Sequence, residues 1–181
     1  MSNRNVTSEI LSDGHFQVRR DTFTASSGVV KTRDVVEYPE AVAMVAIDPD
    51  GKLILEKQYR HAAGRELLEI PAGGIEPGEA PEAAVCREMQ EETGYLPQTV
   101  QHLTSFYSAP GYSTEILHVY LVKDLVENPL TAEDSDEITL LRVSREEALE
   151  LITNGTIRDG KSIAGLLFYF NSYKPAKPRA Q

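Results

Sequence analysis

Three glutamates, Glu88, Glu91 and Glu92, recur at helical spacing in the stretch that runs from Pro81 to Gly94. At about 100° per residue, positions three and four apart share one narrow arc of a helix. Like charges so placed repel by roughly a few tenths of a kcal/mol per pair. Two arrangements relieve that repulsion. Either the arc is a solvated acidic face with Arg87 bridging to Glu91, or a divalent cation with oxygen ligands sits among the carboxylates. Val85 and Met89 form a separate apolar stripe on the same helix, which turns the carboxylates away from the core and towards a neighbouring loop. That loop is dense in Pro and Gly: Pro71-Ala72-Gly73-Gly74-Ile75-Glu76-Pro77-Gly78.

Other chemistries find no comparable pattern. Cys86 lies inside the helix with no cue to an activated thiol and reads as a core residue. His15, His61, His102 and His118 lack zinc-ligand spacing, and no Gly-Lys-Ser/Thr phosphate loop is present.

The elements that must position these residues can be read from apolar pattern and punctuation. From about His15 to Tyr38 the chain is rich in Val, Thr and Phe and predicts strands. Ala41–Ile47 is a continuous apolar run short enough for a buried strand. Asp48-Pro49-Asp50-Gly51 is a turn signal, and the chain returns over Lys52–Tyr59, which predicts a hairpin. Pro81 suits the first turn of the helix, Glu82 its positive end and Gly94 its stop. Strands follow near Val100–Tyr107, Ile116–Val122 and Ile138–Val143, the last preceded by the acidic loop Glu133-Asp134-Ser135-Asp136-Glu137. Ser144-Arg145-Glu146-Glu147 is a capping box opening a helix that Gly155 can close, and a final helix covers about Lys161–Tyr173. Strands, helix, strands, helices in that order suggest an α/β/α or α+β sandwich and not a regular βαβ series.

Bulk properties bound the function. The 181 residues suffice for one ordinary domain with a full core. A formal charge of −10, with Lys and Arg scattered, argues against nucleic acid as partner. No apolar run approaches the roughly 18 residues of a membrane span, so no membrane association is expected. The polar N-terminus lacks a secretory signal core, and a single cysteine suits a reducing compartment, so a cytoplasmic location is expected.

Taken with its flanks, the acidic helix resembles a known signature. Gly73, five residues, Glu79, seven residues, Arg87-Glu88-Met89, one residue, Glu91-Glu92, one residue and Gly94-Tyr95 match every fixed position of the Nudix hydrolase box. Met89 is a conservative occupant of an aliphatic slot, and Tyr95 is larger than the usual one. The resemblance implies a Nudix-type α/β/α sandwich with a mixed sheet over residues 39–175, an N-terminal β-rich extension over 1–38 used for dimerisation, and a tail over 176–181. It also implies Mg²⁺, with Mn²⁺ as an alternative, held by Glu88, Glu91, Glu92 and the backbone carbonyl of Ala72. Glu79 and Arg87 then orient these ligands.

Ser108–Glu115 resembles the segment that marks the ADP-ribose pyrophosphatase branch, with Pro110 sixteen residues after Gly94. The implied activity is hydrolysis of the pyrophosphate bond of ADP-ribose, giving AMP and ribose 5-phosphate, or of a related nucleoside diphosphate sugar. A preference for another nucleotide sugar, such as a GDP-hexose, is the alternative among enzymes. A non-catalytic nucleotide-sugar sensor is the alternative of another class. By the same resemblance Ala109, Pro110, Gly111, Glu115 and Arg60 line the substrate, and Arg33 reaches across a homodimer interface. The catalytic base is expected on the acidic loop at Asp134, with Glu133 and Glu137 as neighbours in contention and the box residue Glu91 behind them. Asp136 falls at a metal-contacting position.

Overall fold

The computed structural model describes residues 6–14, 16–131 and 138–172. They form two compact units: residues up to Glu40 with Tyr107–Ile116, and Ala41–Phe106 with the chain from Leu117 onward.

The first unit is an antiparallel meander of β1 (Val6–Asp13), β2 (Gln17–Thr24) and β3 (Val30–Glu37). β2 and β3 pair without interruption from Gln17↔Glu37 to Thr24↔Val30. That register sets Arg20 opposite Asp34, whose side chains meet at 2.7 Å, an exposed pair of small energetic weight. β1 pairs with β2 across a bulge between Ile10 and Ser12. It extends the strand region nearer the N-terminus than the sequence pattern predicts, because Val-Thr-Ser-Glu-Ile carries little apolar alternation. The segment 107–116 joins the edge of β3: Val36 N–H donates to Tyr112 O at 2.7 Å, and Thr114 N–H to Val36 O at 3.0 Å.

The second unit is built on a seven-stranded mixed sheet. β4 (Ala41–Ile47) and β5 (Leu53–Arg60) form the expected hairpin, paired at Ala46↔Ile54 and Ile47↔Leu53. Asp48 closes the turn, its carboxylate accepting the Asp50 and Lys52 N–H groups at 2.9 and 2.8 Å. Past the hairpin the two strands part. β5 takes β6 (Arg65–Glu69) as partner, and β4 takes β7 (Ala72–Gly74). On its other edge β4 runs parallel to β9 (Ile116–Glu127), beyond which lies β8 (Tyr95–Tyr107). β10 (Thr139–Val143) is antiparallel to β5.

Helices cover both faces of this sheet, which accounts for the uninterrupted apolar run of β4. Val42, Met44 and Ala46 pack with Ala84, Val85 and Met89 of the box helix, α1 (Pro81–Glu88) and the turn after it. Ala43 and Val45 face the opposite cluster, with Ala148 of α2 (Arg145–Thr153) and Leu166 of α3 (Gly160–Ser172). Burying each such large apolar side chain contributes roughly 1.5–3 kcal/mol. The layers are those of the α/β/α sandwich. α2 opens on the predicted capping box: Ser144 Oγ accepts Glu147 N–H at 3.1 Å, and Glu147 accepts Ser144 N–H at 2.6 Å.

One feature departs from the helical reading. After Glu88 the helix widens into a π-type turn over Met89–Thr93, and Gly94 ends it at φ 79°. Glu91 and Glu92 therefore sit on a turn wider than the arc predicted for a regular helix, a distortion frequent at functional sites.

Candidate active site

β7, and the loop that leads from it to α1, lie hard against the box helix. Gly73 shows how closely: a Cβ there would fall 1.9 Å from Glu88 Cδ and 2.1 Å from both carboxylate oxygens. Only glycine leaves room for the Glu88 carboxylate beside the loop backbone.

Arg87 fastens loop to helix. Its Nε and Nη2 donate to the two oxygens of Glu79 at 3.0 and 2.9 Å, and Nη2 also reaches Gly74 O at 2.8 Å. Nη1 donates to Glu88 at 2.7 Å and to Glu91 at 3.1 Å. Hydrogen bonding from Arg87 holds the Glu79 carboxyl below the usual range. The reciprocal bond from Glu79 raises Arg87 further above its ordinary value. Glu88 goes the other way, because burial outweighs Arg87's attraction and raises its carboxyl.

Glu92 turns inward. Its Oε2 accepts the N–H of Ala72 at 2.9 Å, joining the end of the box helix to the start of β7. Burial raises its carboxyl well above the ordinary value, and the neighbouring charges of Glu56 and Glu88 add to this. Glu56, on β5, is fully buried, and neither of its oxygens has a hydrogen-bond donor among the described residues. Burial pushes it up to about 8.

A third buried acid, Glu69, is in contrast well served. Arg60 donates to it through Nε and Nη2 at 3.0 and 2.9 Å, and Lys161 reaches the same carboxylate. Burial alone would raise Glu69, but Arg60 and Lys161 outweigh it and its carboxyl is lowered. Asp159 accepts from Lys161 at 3.1 Å and from the Ser162 hydroxyl, which in turn accepts Ile70 N–H at 2.8 Å.

The expected site residues thus fall into three groups. Ala72, Glu88, Glu91 and Glu92 come together around the loop and the end of the box helix, and Arg60 is engaged by Glu69. Arg33, Ala109, Pro110, Gly111 and Glu115 belong to the first unit. There Arg33, Val35, Tyr107, Pro110, Gly111 and Tyr112 line a groove of about 700 Å³. Ala109 O accepts Tyr112 and Ser113 N–H at 3.1 and 2.9 Å, which fixes the Pro110-Gly111 turn. Glu133, Asp134, Asp136 and Glu137 lie outside the described residues. Cys86 is half-buried and not fully in the core, and burial raises its thiol.

Sequence reasoning missed Glu56, Glu69 and Lys161. Glu56 and Glu69 each interrupt an apolar run, after Leu53-Ile54-Leu55 and Leu67-Leu68. An acid inside a buried strand was the signal that could have found them.

Among the described residues no three Asp, Glu, His or Cys side chains close on one point; Glu88 and Glu91 are directed at the Arg87 guanidinium. The donor chemistry nonetheless fits a hard divalent cation. All the candidate donors are oxygens, Glu56 carries an orphaned buried carboxylate, and Gly73 leaves the cradle that Glu88 fills.

The NUDIX domain model matches residues 37–166. An ADP-ribose pyrophosphatase of Bacillus subtilis (strain 168) is 37% identical over 75% of this chain and 75% of its own. An ADP-ribose pyrophosphatase of Mycobacterium tuberculosis (strain ATCC 25618 / H37Rv) is 38% identical over 90% of this chain and 80% of its own. A GDP-mannose pyrophosphatase of Yersinia enterocolitica (serotype O:8 / biotype 1B) is 30% identical over 88% and 90%. A crystal structure of an ADP compounds hydrolase shares the fold, with a TM-score of 0.86, 22% identity and 95% of each chain covered. The chain belongs to the Nudix family and is a pyrophosphatase of the type its ADP-ribose pyrophosphatase relatives represent.

Proposed function

We propose that this protein hydrolyses the pyrophosphate bond of ADP-ribose, or of a closely related nucleoside diphosphate sugar, with Mg²⁺ as its cation and Mn²⁺ as a substitute. The observation that carries the reading is the packing of the Glu88 carboxylate against Gly73 and of Glu92 against Ala72, with Arg87 tying Glu88 and Glu91 to Glu79. The choice of ADP-ribose is supported by the two relatives named for that activity.

In this reading Glu88, Glu91, Glu92 and the Ala72 carbonyl hold the cation, which when bound neutralises the diphosphate and acidifies water. The chain's own residues do the rest. Arg87 keeps Glu79 and the loop at fixed distance from the helix, so the ligands are positioned before substrate arrives. Arg60 and the Pro110-Gly111 turn contact substrate, and Glu115 lines the site. A carboxylate of the acidic loop, Asp134 first and Glu133 or Glu137 next, takes the proton of the attacking water, with Asp136 contributing to the cation site. Residues 1–38 form a homodimer interface that brings Arg33 to the partner. The exposed Val6, Ile10, Val29 and Val30 of that region support this. The protein works in the cytoplasm, without nucleic acid or membrane.

The test is a panel of nucleoside diphosphate sugars assayed with Mg²⁺, with products separated by chromatography. ADP-ribose is expected to give AMP and ribose 5-phosphate with the highest kcat/KM. A higher value for GDP-mannose moves the protein to the alternative suggested by its Yersinia relative. Binding of ADP-ribose without any product makes it a sensor.

A further inference from the structure

β5 alternates its faces. Leu53 and Leu55 pack with the cluster on the α2–α3 side, and Ile54 with the cluster on the α1 side. Glu56 continues the Ile54 face, the one on which Met89 anchors the turn that carries Glu92. An apolar side chain there would simply extend the cluster, yet the strand presents a carboxylate at 0% exposure. Its carboxylate lies within electrostatic reach of Glu92, and neither of its oxygens has a hydrogen-bond partner among the described residues. Gln58, on the same face, also carries a buried side-chain oxygen without a partner among the described residues.

The neighbouring charges do not resolve this. The cations near Glu56 are Arg60 and Lys161. Arg60 directs both bonding edges at Glu69, and Lys161 is divided between Glu69 and Asp159. Those two cations and two anions balance among themselves. Glu56 and Glu92 remain as adjacent buried acids, an arrangement costing several kcal/mol per ion, on the order of that scale, unless a counter-charge is supplied. Two carboxylates and an amide oxygen are the hard donors that Mg²⁺ or Mn²⁺ takes.

We infer that Glu56 is a further carboxylate of the metal centre, holding a divalent cation together with Glu92 between β5 and the end of the box helix. This rests on the divalent-cation reading above and adds a ligand outside the box.

The test measures Mn²⁺ binding to the full chain by calorimetry, and melting temperature with and without Mn²⁺, for the parent, Glu56→Gln and Glu56→Leu. Both variants are expected to lose a bound cation or to bind roughly tenfold or more weakly. They should also melt higher than the parent in chelator and gain less on adding Mn²⁺. Glu56→Leu matches the apolar surroundings of Ile54 and keeps the test decisive where the amide of Gln unfolds the chain. Variants with the parent's stoichiometry, affinity and Mn²⁺-induced rise overturn the inference. A parent that binds no Mn²⁺ overturns the underlying metal reading, a separate failure seen before any substitution is made.

Discussion

Gly73 and Glu88 compete for one volume: the space a Cβ would fill on Gly73 holds the Glu88 carboxyl group, 1.9 Å away. The clash would be with the far end of a flexible side chain and not with backbone, so Glu88 can swing aside. Gly73→Ala should therefore cost little stability, about 1 kcal/mol, while displacing one of the proposed cation ligands. Mg²⁺ affinity and kcat should each fall roughly tenfold or more. Thermal melts and Mg²⁺ titrations on one preparation separate the two effects, and a variant with unaltered Mg²⁺ dependence places Glu88 outside the cation site.

A pH dependence follows from Glu56. Its carboxyl titrates at about 8 in the folded protein against an ordinary 4.5, because burial disfavours its charge. The folded chain thus keeps a proton that the unfolded chain releases. The stability this gives is fully present below about pH 4.5 and is lost as pH rises through about 8. In chelator, the melting temperature should fall between about pH 5 and pH 8, and Glu56→Gln should flatten that decline. A melting temperature that climbs steadily over the range contradicts this account of Glu56.

The first unit carries the expected dimer interface. Its strands and the residue before β3 expose Val6, Ile10, Leu11, Val29 and Val30, apolar side chains that a second copy of the region would cover. The intact chain is expected to sediment as a dimer at micromolar concentration, and deletion of residues 1–38 to abolish dimerisation. A monomer over that range removes Arg33 from any role at a partner's site.

For the acidic loop the expected outcome is kinetic. Glu88 and Glu91 are engaged by Arg87 and Glu92 by Ala72, so the box glutamates are poorly placed to accept a proton. Asp134→Asn should lower kcat by roughly a hundredfold or more with little change in KM, the pattern of a group acting in the transition state. If substitutions at Glu133, Asp134, Asp136 and Glu137 all leave kcat within a few-fold, the base lies elsewhere and Glu91 takes its place.

Much of the second unit is legible in the sequence because its signals are local. The Ala41–Ile47 run, the Asp48–Gly51 turn, the Ser144–Glu147 capping box and the Gly73–Tyr95 spacing each lie within a few turns of chain. What escapes such reading depends on partners distant in sequence. Glu69 is satisfied by Lys161, and Glu56 on β5 comes near Glu92 only through the fold, 36 residues apart in sequence. The wide turn at Met89–Thr93 is likewise invisible to a pattern that assumes a regular helical period.

Cation-dependent hydrolysis at the box glutamates is best measured by following ADP-ribose with the parent and with Glu92→Gln, each in Mg²⁺ and in chelator. Glu92→Gln keeps side-chain size and removes the ligand charge. The parent is expected to give AMP and ribose 5-phosphate in Mg²⁺ only. For a folded Glu92→Gln, kcat is expected to drop by roughly a thousandfold or more. Full turnover in chelator, or a folded Glu92→Gln that retains most of the parent's activity, would contradict it.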